Sequence, residues 1–290
     1  MPGDNKGMGG TTVGLLHPGE MGAAVGQCLV AAGHQVLWVP EGRSPASAAR
    51  AAAAGLTAAA SGGLAGLIRR ADVIISVCPP QAALDLARQV AGFGGVYADA
   101  NAVSPDTVRE IARIVEAGGA SCVDGGIIGT PPVAPGFIRL YLSGARAPEV
   151  QRLFAGGEVD ARVIGDALGA ASAVKMAYAS WTKGSAALLL TARALARADG
   201  VEDVLLDEWD GSQPGLVERS DRAAGSAAAK GWRWVAEMEE IAETMAAAGL
   251  PDGFHQAAAE VYRRVQEGAA RDALAVDVLD AVLTALLSSG

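Results

Sequence analysis

The stretch VGLLHPGEMGAAVG, residues 13–26, decides the fold. A short apolar run, residues 12–16, enters a Gly/Pro turn, and the turn opens into an Ala-rich helix near Met21. Strand, glycine turn and helix in this order make a diphosphate site. Free N–H groups and the helix dipole favour negative charge, and Gly19 and Gly22 remove Cβ atoms that would keep phosphate oxygens from the backbone. His17 stands at the first glycine position of the GxGxxG pattern, so the strict pattern fails there. Context carries the reading: the motif opens the fold, and a second strand, HQVLWV at 34–39, follows one helix later. His17, Pro18, Gly19, Glu20, Met21 and Gly22 are the turn residues expected to bind a dinucleotide.

Outward from this turn, short β-like runs alternate with Ala-rich helical runs. Strands are expected at 12–16, 35–39, 72–77, 95–99, 120–124 and 137–143, with helices at 21–32, 45–54, 61–69, 81–91 and 105–117. The alternation predicts a mostly parallel, doubly wound sheet, and the continuous apolar strands suit burial on both faces. From Gly169 onward no strand is evident. Helices are expected at 170–199, 202–209, 214–221, 231–248, 253–267 and 270–288. The predicted fold is an α/β N-terminal Rossmann-type doubly wound sheet over 11–168 plus an all-α C-terminal domain over 169–290. Residues 1–10 read as a flexible tail, and a cleft is expected between the domains.

The 290 residues carry a formal charge of −9 and no basic stripe, which argues against a nucleic-acid partner. Cys28, Cys78 and Cys122 form no CxxC and no metal spacing, so they read as reduced thiols, with no metal site. No HExxH or GxSxG is present. The N-terminal ten residues lack an apolar signal core, and the longest apolar run, 184–198, is too short for a bilayer and holds two arginines. A cytoplasmic protein without membrane contact is expected.

The second strand leads into Val39-Pro40-Glu41-Gly42-Arg43-Ser44. Arg43 and Ser44 suit a 2′-phosphate by charge and hydrogen bonding, which favours NADP, whereas Glu41 is the feature that favours NAD. Cys78-Pro79-Pro80 forces an extended exit from the third strand. It reads either as a segment along the nicotinamide ribose or as a plain strand terminator. Asn101 lies just past a strand's carboxyl end, where open α/β sheets place ligands. Ser104 and Pro105 form an N-cap and N1 pair. Lysine is rare: the chain has Lys6, Lys175, Lys183 and Lys230. Lys175 lies in a small-residue apolar helix, where burial beside a cofactor would lower its pKa toward neutrality, the property an acid/base needs. The competing reading is a salt-bridged lysine on a packed helix. Lys183 lies roughly 12 Å further along the axis, for substrate binding or structure. Four of the five tryptophans fall in the helical half, Trp181 on the Lys175 helix, as pocket lining or core.

Taken in order, GLLHPGEMG (14–22), SVCPP (76–80), DANAVSP (99–105), DGGIIGTPP (124–132) and GAASAVKMAYA (169–179) resemble the β-hydroxyacid dehydrogenase superfamily. That group includes 6-phosphogluconate and 3-hydroxyisobutyrate dehydrogenases. The second half is similar to a bacterial branch with its own helical C-terminal domain. The resemblance implies that Lys175 is the general acid/base. It implies a small-molecule substrate near Ser104, Ile128, Gly129, Thr130, Trp181 and Lys183, and a homodimer, for which the apolar run 182–198 suits a helix–helix interface. Two departures stand out: Ile128 occupies the family's serine position, and Ala179 occupies its asparagine position four residues after the lysine. Both remove polar substrate contacts and argue against a small hydroxy acid held by its carboxylate. No basic cluster surrounds Lys175, which argues against 6-phosphogluconate. The expected activity is NADP-dependent hydride transfer to or from a carbonyl/hydroxyl carbon. The alternatives are imine reduction and a nucleotide-binding sensor without turnover.

Overall fold

The computed structural model describes residues 10–59, 62–131, 136–271 and 277–288. Residues 1–9 of the expected tail and Pro132 of the DGGIIGTPP motif lie outside the described residues. The chain divides into two compact units, residues 1–175 and 176–290.

The first unit runs β1 (Thr12–Leu16), α1 (Glu20–Ala31), β2 (Gln35–Trp38), α2 (Pro45–Ala53), β3 (Thr57–Ala58), α3 (Gly63–Arg70) and β4 (Val73–Ser76). It continues through α4 (Ala83–Gln89), β5 (Val96–Asp99), α5 (Pro105–Ala117), β6 (Ser121–Gly129), β7 (Ile138–Ser143), α6 (Ala147–Arg152) and β8 (Val159–Gly165). The sheet order is β3-β2-β1-β4-β5-β6-β7-β8. Strands β1 to β6 pair in parallel, β7 pairs antiparallel with β6, and β8 is parallel to β7. The chain reverses its direction of travel across the sheet between β1 and β4, which opens a crevice at the carboxyl ends of the strands.

Strand alternation feeds two cores. Val13 and Leu15 of β1, Val73 and Ile75 of β4, and Val96 and Ala98 of β5 enter one. Leu16, Ile74 and Tyr97 enter the other. Burial on both faces is why these strands read as apolar runs.

Three elements are additional to those expected. β3 has two residues, α6 has six, and β8 carries Asp160 and Arg162 on an edge, so its pattern is not that of a buried strand. β6 extends to Gly129 rather than 124 because β7 pairs with it from Asp124↔Ser143 to Gly129↔Ile138. The helix expected at 81–91 opens as a 3-10 turn, Pro80–Ala82, before α4.

α7 (Ala170–Ala198) starts in the first unit and continues into the second, followed by α8 (Glu202–Ser212), α9 (Leu216–Ala247), α10 (Gly253–Arg271) and α11 (Val278–Leu287). No strand occurs among the described residues of this unit. The helices expected at 214–221 and 231–248 are one element of 32 residues, α9. Gly225 and Gly231 weaken the local preference for helix, but tertiary packing overrides it. Ala227 and Gly231 are buried, and the Gln266 amide of α10 donates to Ala227 O at 3.0 Å.

Candidate functional site

Leu16, Ser76 and Asp99 end β1, β4 and β5 in register with Asp124, from which β6 runs on to Gly129. The segments that follow them therefore share one edge of the sheet.

The glycine turn leaves β1 at His17, whose φ of 67° is the only positive value at a non-glycine among the described residues. That conformation explains why glycine is usual at this position; here histidine adopts it. Gly19 N donates to His17 O at 2.8 Å, and α1 begins at Glu20. The two glycines differ in role. A Cβ on Gly22 would lie 2.3 Å from His17 O, so Gly22 lets the helix close on the turn; a Cβ on Gly19 would meet nothing within 4 Å. The open space that a ligand could take is thus at Gly19. Pro18 is buried, Glu20 is exposed, and Met21 packs against the core.

Burial first, and the Arg43 charge second, hold the His17 imidazole down to about 4. His17 Nδ1 and Arg43 Nε are both buried without a hydrogen-bond partner among the described residues. Ser44 caps α2, its Oγ accepting from Ser47 N at 3.2 Å. Arg50, not singled out from sequence, donates to Pro18 O at 3.4 Å and to Ser47 Oγ at 3.2 Å. Its position seven residues after Arg43, on the Ala-rich α2, was the available signal.

Asn101 is spent inside the protein. Its Oδ1 accepts from Cys78 N at 2.6 Å, and its Nδ2 donates to Asp99 Oδ2 at 2.8 Å and Ser76 Oγ at 3.1 Å. It therefore ties the ends of β4 and β5 together and sets the path of Cys78 and Pro79. Burial, then the Asp99 charge, push the Cys78 thiol up to about 12, so it is inert at neutral pH. Pro79 is extended before the 3-10 turn. Ser104 is buried and caps α5, accepting from Thr107 N at 3.1 Å, as the Ser-Pro pair predicts.

Lys175 is half-buried, and its Nζ donates to Ile127 O at 2.8 Å. Ile128 is buried in β6, while Gly129 and Thr130 are exposed at its end. Lys183 pairs with Glu237, and its ammonium lies 5.7 Å from the Trp234 ring centre. Its carbonyl accepts from Tyr262 Oη at 2.6 Å. Lys183 thus joins α7 to α9 and α10, the structural one of its two readings. Trp234 stacks edge-on against Tyr262, Trp209 is buried, and Trp181 is 68% exposed with Arg219 over its ring. No group of three His, Cys, Asp or Glu among the described residues could hold a metal.

An open cradle at Gly19, a helix N-terminus behind it and an arginine with a buried, unpartnered Nε beside it fit a dinucleotide phosphate. Sheet and turn define a Rossmann-type dinucleotide-binding fold. Residues 12–151 match the NAD binding domain of 6-phosphogluconate dehydrogenase, and residues 196–265 match a domain of unknown function, DUF1932. The chain thus carries both matches, in this order. It is similar to an uncharacterized 28.5 kDa protein of Methanothermus fervidus, 34% identical over 142 residues, or 49% of this chain. The match spans about half of that relative, 54% of its length. A conserved hypothetical protein from Sinorhizobium meliloti is 27% identical, with TM-score 0.68 over 95% of this chain and 97% of that one. Two further structures share the fold. Mycobacterium tuberculosis 3-hydroxyisobutyrate dehydrogenase is 22% identical, with TM-score 0.64 over 95% of this chain and 99% of that one. A reductive aminase from Aspergillus terreus, in complex with NADPH4, cyclohexanone and allyl amine, is 21% identical, with TM-score 0.54 over 95% of this chain and 99% of that one.

Proposed function

We propose that the protein is an NADP-dependent oxidoreductase acting between the nicotinamide and a carbonyl or hydroxyl carbon of a small organic substrate, with Lys175 as general acid/base. What supports this reading is the row of strand ends. The glycine turn follows Leu16, and β6 runs three residues past the level of that row, from Asp124 to Ile127, whose O accepts from Lys175 Nζ.

The turn from His17 to Gly22 and the start of α1 would hold the diphosphate. Arg43, Ser44 and Arg50 would hold the 2′-phosphate, and Cys78 and Pro79, positioned by Asn101, would border the nicotinamide ribose. When bound, NADPH supplies the hydride. Lys175 gives a proton to the substrate oxygen in reduction and takes it back in oxidation. Ile127 O orients the ammonium. Ile128 offers no hydroxyl, so Gly129 and Thr130 at the end of β6 are the nearest substrate-facing groups.

A second reading, reduction of a C=N bond, is favoured by the apolar Ile128 and Ala179 and by the fold shared with a reductive aminase. The retained lysine favours the carbonyl. Fluorescence titration with NADPH and NADH, then NADPH consumption against panels of carbonyls and imines, separates them. Tight NADPH binding with turnover of one class supports that chemistry. Binding without turnover favours a sensor, and no binding of either nucleotide overturns the reading.

The protein is also proposed to be a homodimer in a reducing cytoplasm. Tyr178, Trp181, Leu188 and Leu195 form an exposed stripe along α7, and the three cysteines are unpaired. No helix among the described residues is long and apolar enough to cross a membrane.

A further inference from the structure

We infer that Asp124 is a positioning residue for Lys175, acting through the first turn of α7. The inference rests on the reading of Lys175 as acid/base. A helix start leaves backbone N–H groups without intrahelical partners. Before α7 stands Gly169, with φ 98° and no side chain to cap the helix. The cap comes instead from the sheet. Asp124 Oδ2 accepts from Gly169 N at 2.9 Å and from Ser172 N at 3.0 Å. Asp124 Oδ1 accepts from Ser172 Oγ at 2.7 Å. Ser143 on β7 donates to Asp124 Oδ2 at 2.9 Å and accepts from Ala171 N at 3.1 Å. Ala170 N reaches Ala167 O at 3.3 Å, and Ala173 N reaches Gly169 O at 2.9 Å. Every N–H from 169 to 173 is therefore accounted for, two by one carboxylate and a third through Ser143.

Asp124, Ser143 and Ser172 are at most 1% exposed, so this cap is shielded from water. The donors and the N-terminal end of the helix point at the Asp124 carboxyl oxygens. The same strand makes two further contacts. A Cβ on Gly126 would lie 2.6 Å from Ala171 O and 3.2 Å from Lys175 Cβ, so the absence of one sets how closely α7 lies on β6. Ile127 O then takes the Lys175 ammonium at 2.8 Å. Asp124, Gly126 and Ile127 of β6 thus fix the helix start, its distance and the amine. Misplacing an acid/base by about 1 Å is enough to cost ~10²-fold in rate.

Competitive acylation of the full chain with acetic anhydride, read by peptide mass spectrometry across the lysine titration range, measures the titration midpoint of Lys175 against Lys230. Ser172→Ala keeps the Asp124 charge but loosens the cap; Asp124→Asn removes the charge as well. Both variants are expected to lower the Lys175 midpoint, Asp124→Asn by at least about threefold in acidity constant and Ser172→Ala by less, because the ammonium loses its hold on Ile127 O. NADPH affinity should stay within about twofold of wild type, since the glycine turn is untouched. An unchanged midpoint in Ser172→Ala overturns the inference, even where thermal stability falls. Ser143→Ala serves the same purpose should Asp124→Asn not fold. The readout is independent of turnover, so it fails separately from the acid/base role, which Lys175→Ala tests.

Discussion

In the proposed function, Lys175 and Arg43 would make opposite demands on their surroundings: one would exchange a proton, the other would keep its charge. Lys175→Ala should leave NADPH affinity within about twofold and reduce turnover of any accepted carbonyl or imine by ~10²–10⁴-fold, the usual size of a general acid/base effect. Single-turnover NADPH consumption checks it. Arg43→Ala should weaken NADPH by roughly tenfold to a hundredfold and NADH little, as expected for one charge-assisted contact to the 2′-phosphate; paired titrations read the ratio. His17 carries a pH signature. Its folded value is near 4, whereas the unfolded imidazole titrates near 6.5. Its contribution to stability is therefore complete above 6.5 and is lost as pH falls toward 4. His17→Asn, which tolerates the left-handed backbone, should flatten that part of the stability–pH curve in urea unfolding. Lys175 and Arg43 stood out in the sequence because lysine is rare in this chain and Arg43 sits at a fixed offset from a strand. The N-cap role of Ser104 was legible from its place before Pro105, whereas the tie made by Asn101 was not, because its partners, Cys78, Asp99 and Ser76, are brought to it by the turns around them.

Among elements, the βα1 turn and the α7–α9 tie are the most sensitive. Gly22→Ala puts a methyl against His17 O, so it should cost about 1–3 kcal/mol and abolish NADPH binding; thermal unfolding and titration together measure both. In the helical unit, Arg193 is 5% exposed and joins three helices. It bonds Glu202 at 2.7 Å, Ser220 at 2.7 Å and Asp221 at 2.6 Å. Arg193→Met leaves Glu202 without one of its two arginines, and the loss should be about 3 kcal/mol in urea unfolding. Apolar strands and capped helices were readable in the chain because their patterns are local. β8 and the continuity of α9 were not, because an edge strand carries charges and a glycine-containing helix survives only through the packing of α10.

For the whole molecule, the exposed stripe on α7 predicts a particle of twice the chain mass by light scattering. Trp181→Glu with Leu188→Glu should convert it to monomers while leaving circular dichroism unchanged. Residues alone sufficed for the two-part plan and the dinucleotide turn, since hydrophobic period, glycine spacing and helix start signals act within a few residues of each other. The same local reading singled out Lys175. Tertiary structure decided the rest: that Gly22 serves the turn while Gly19 faces open space, that Lys183 is bound to Glu237, and that Asp124 caps a helix 45 residues further along the chain. These contacts form only when turns close and sheet and helices pack, and no local pattern encodes which side chain will meet which.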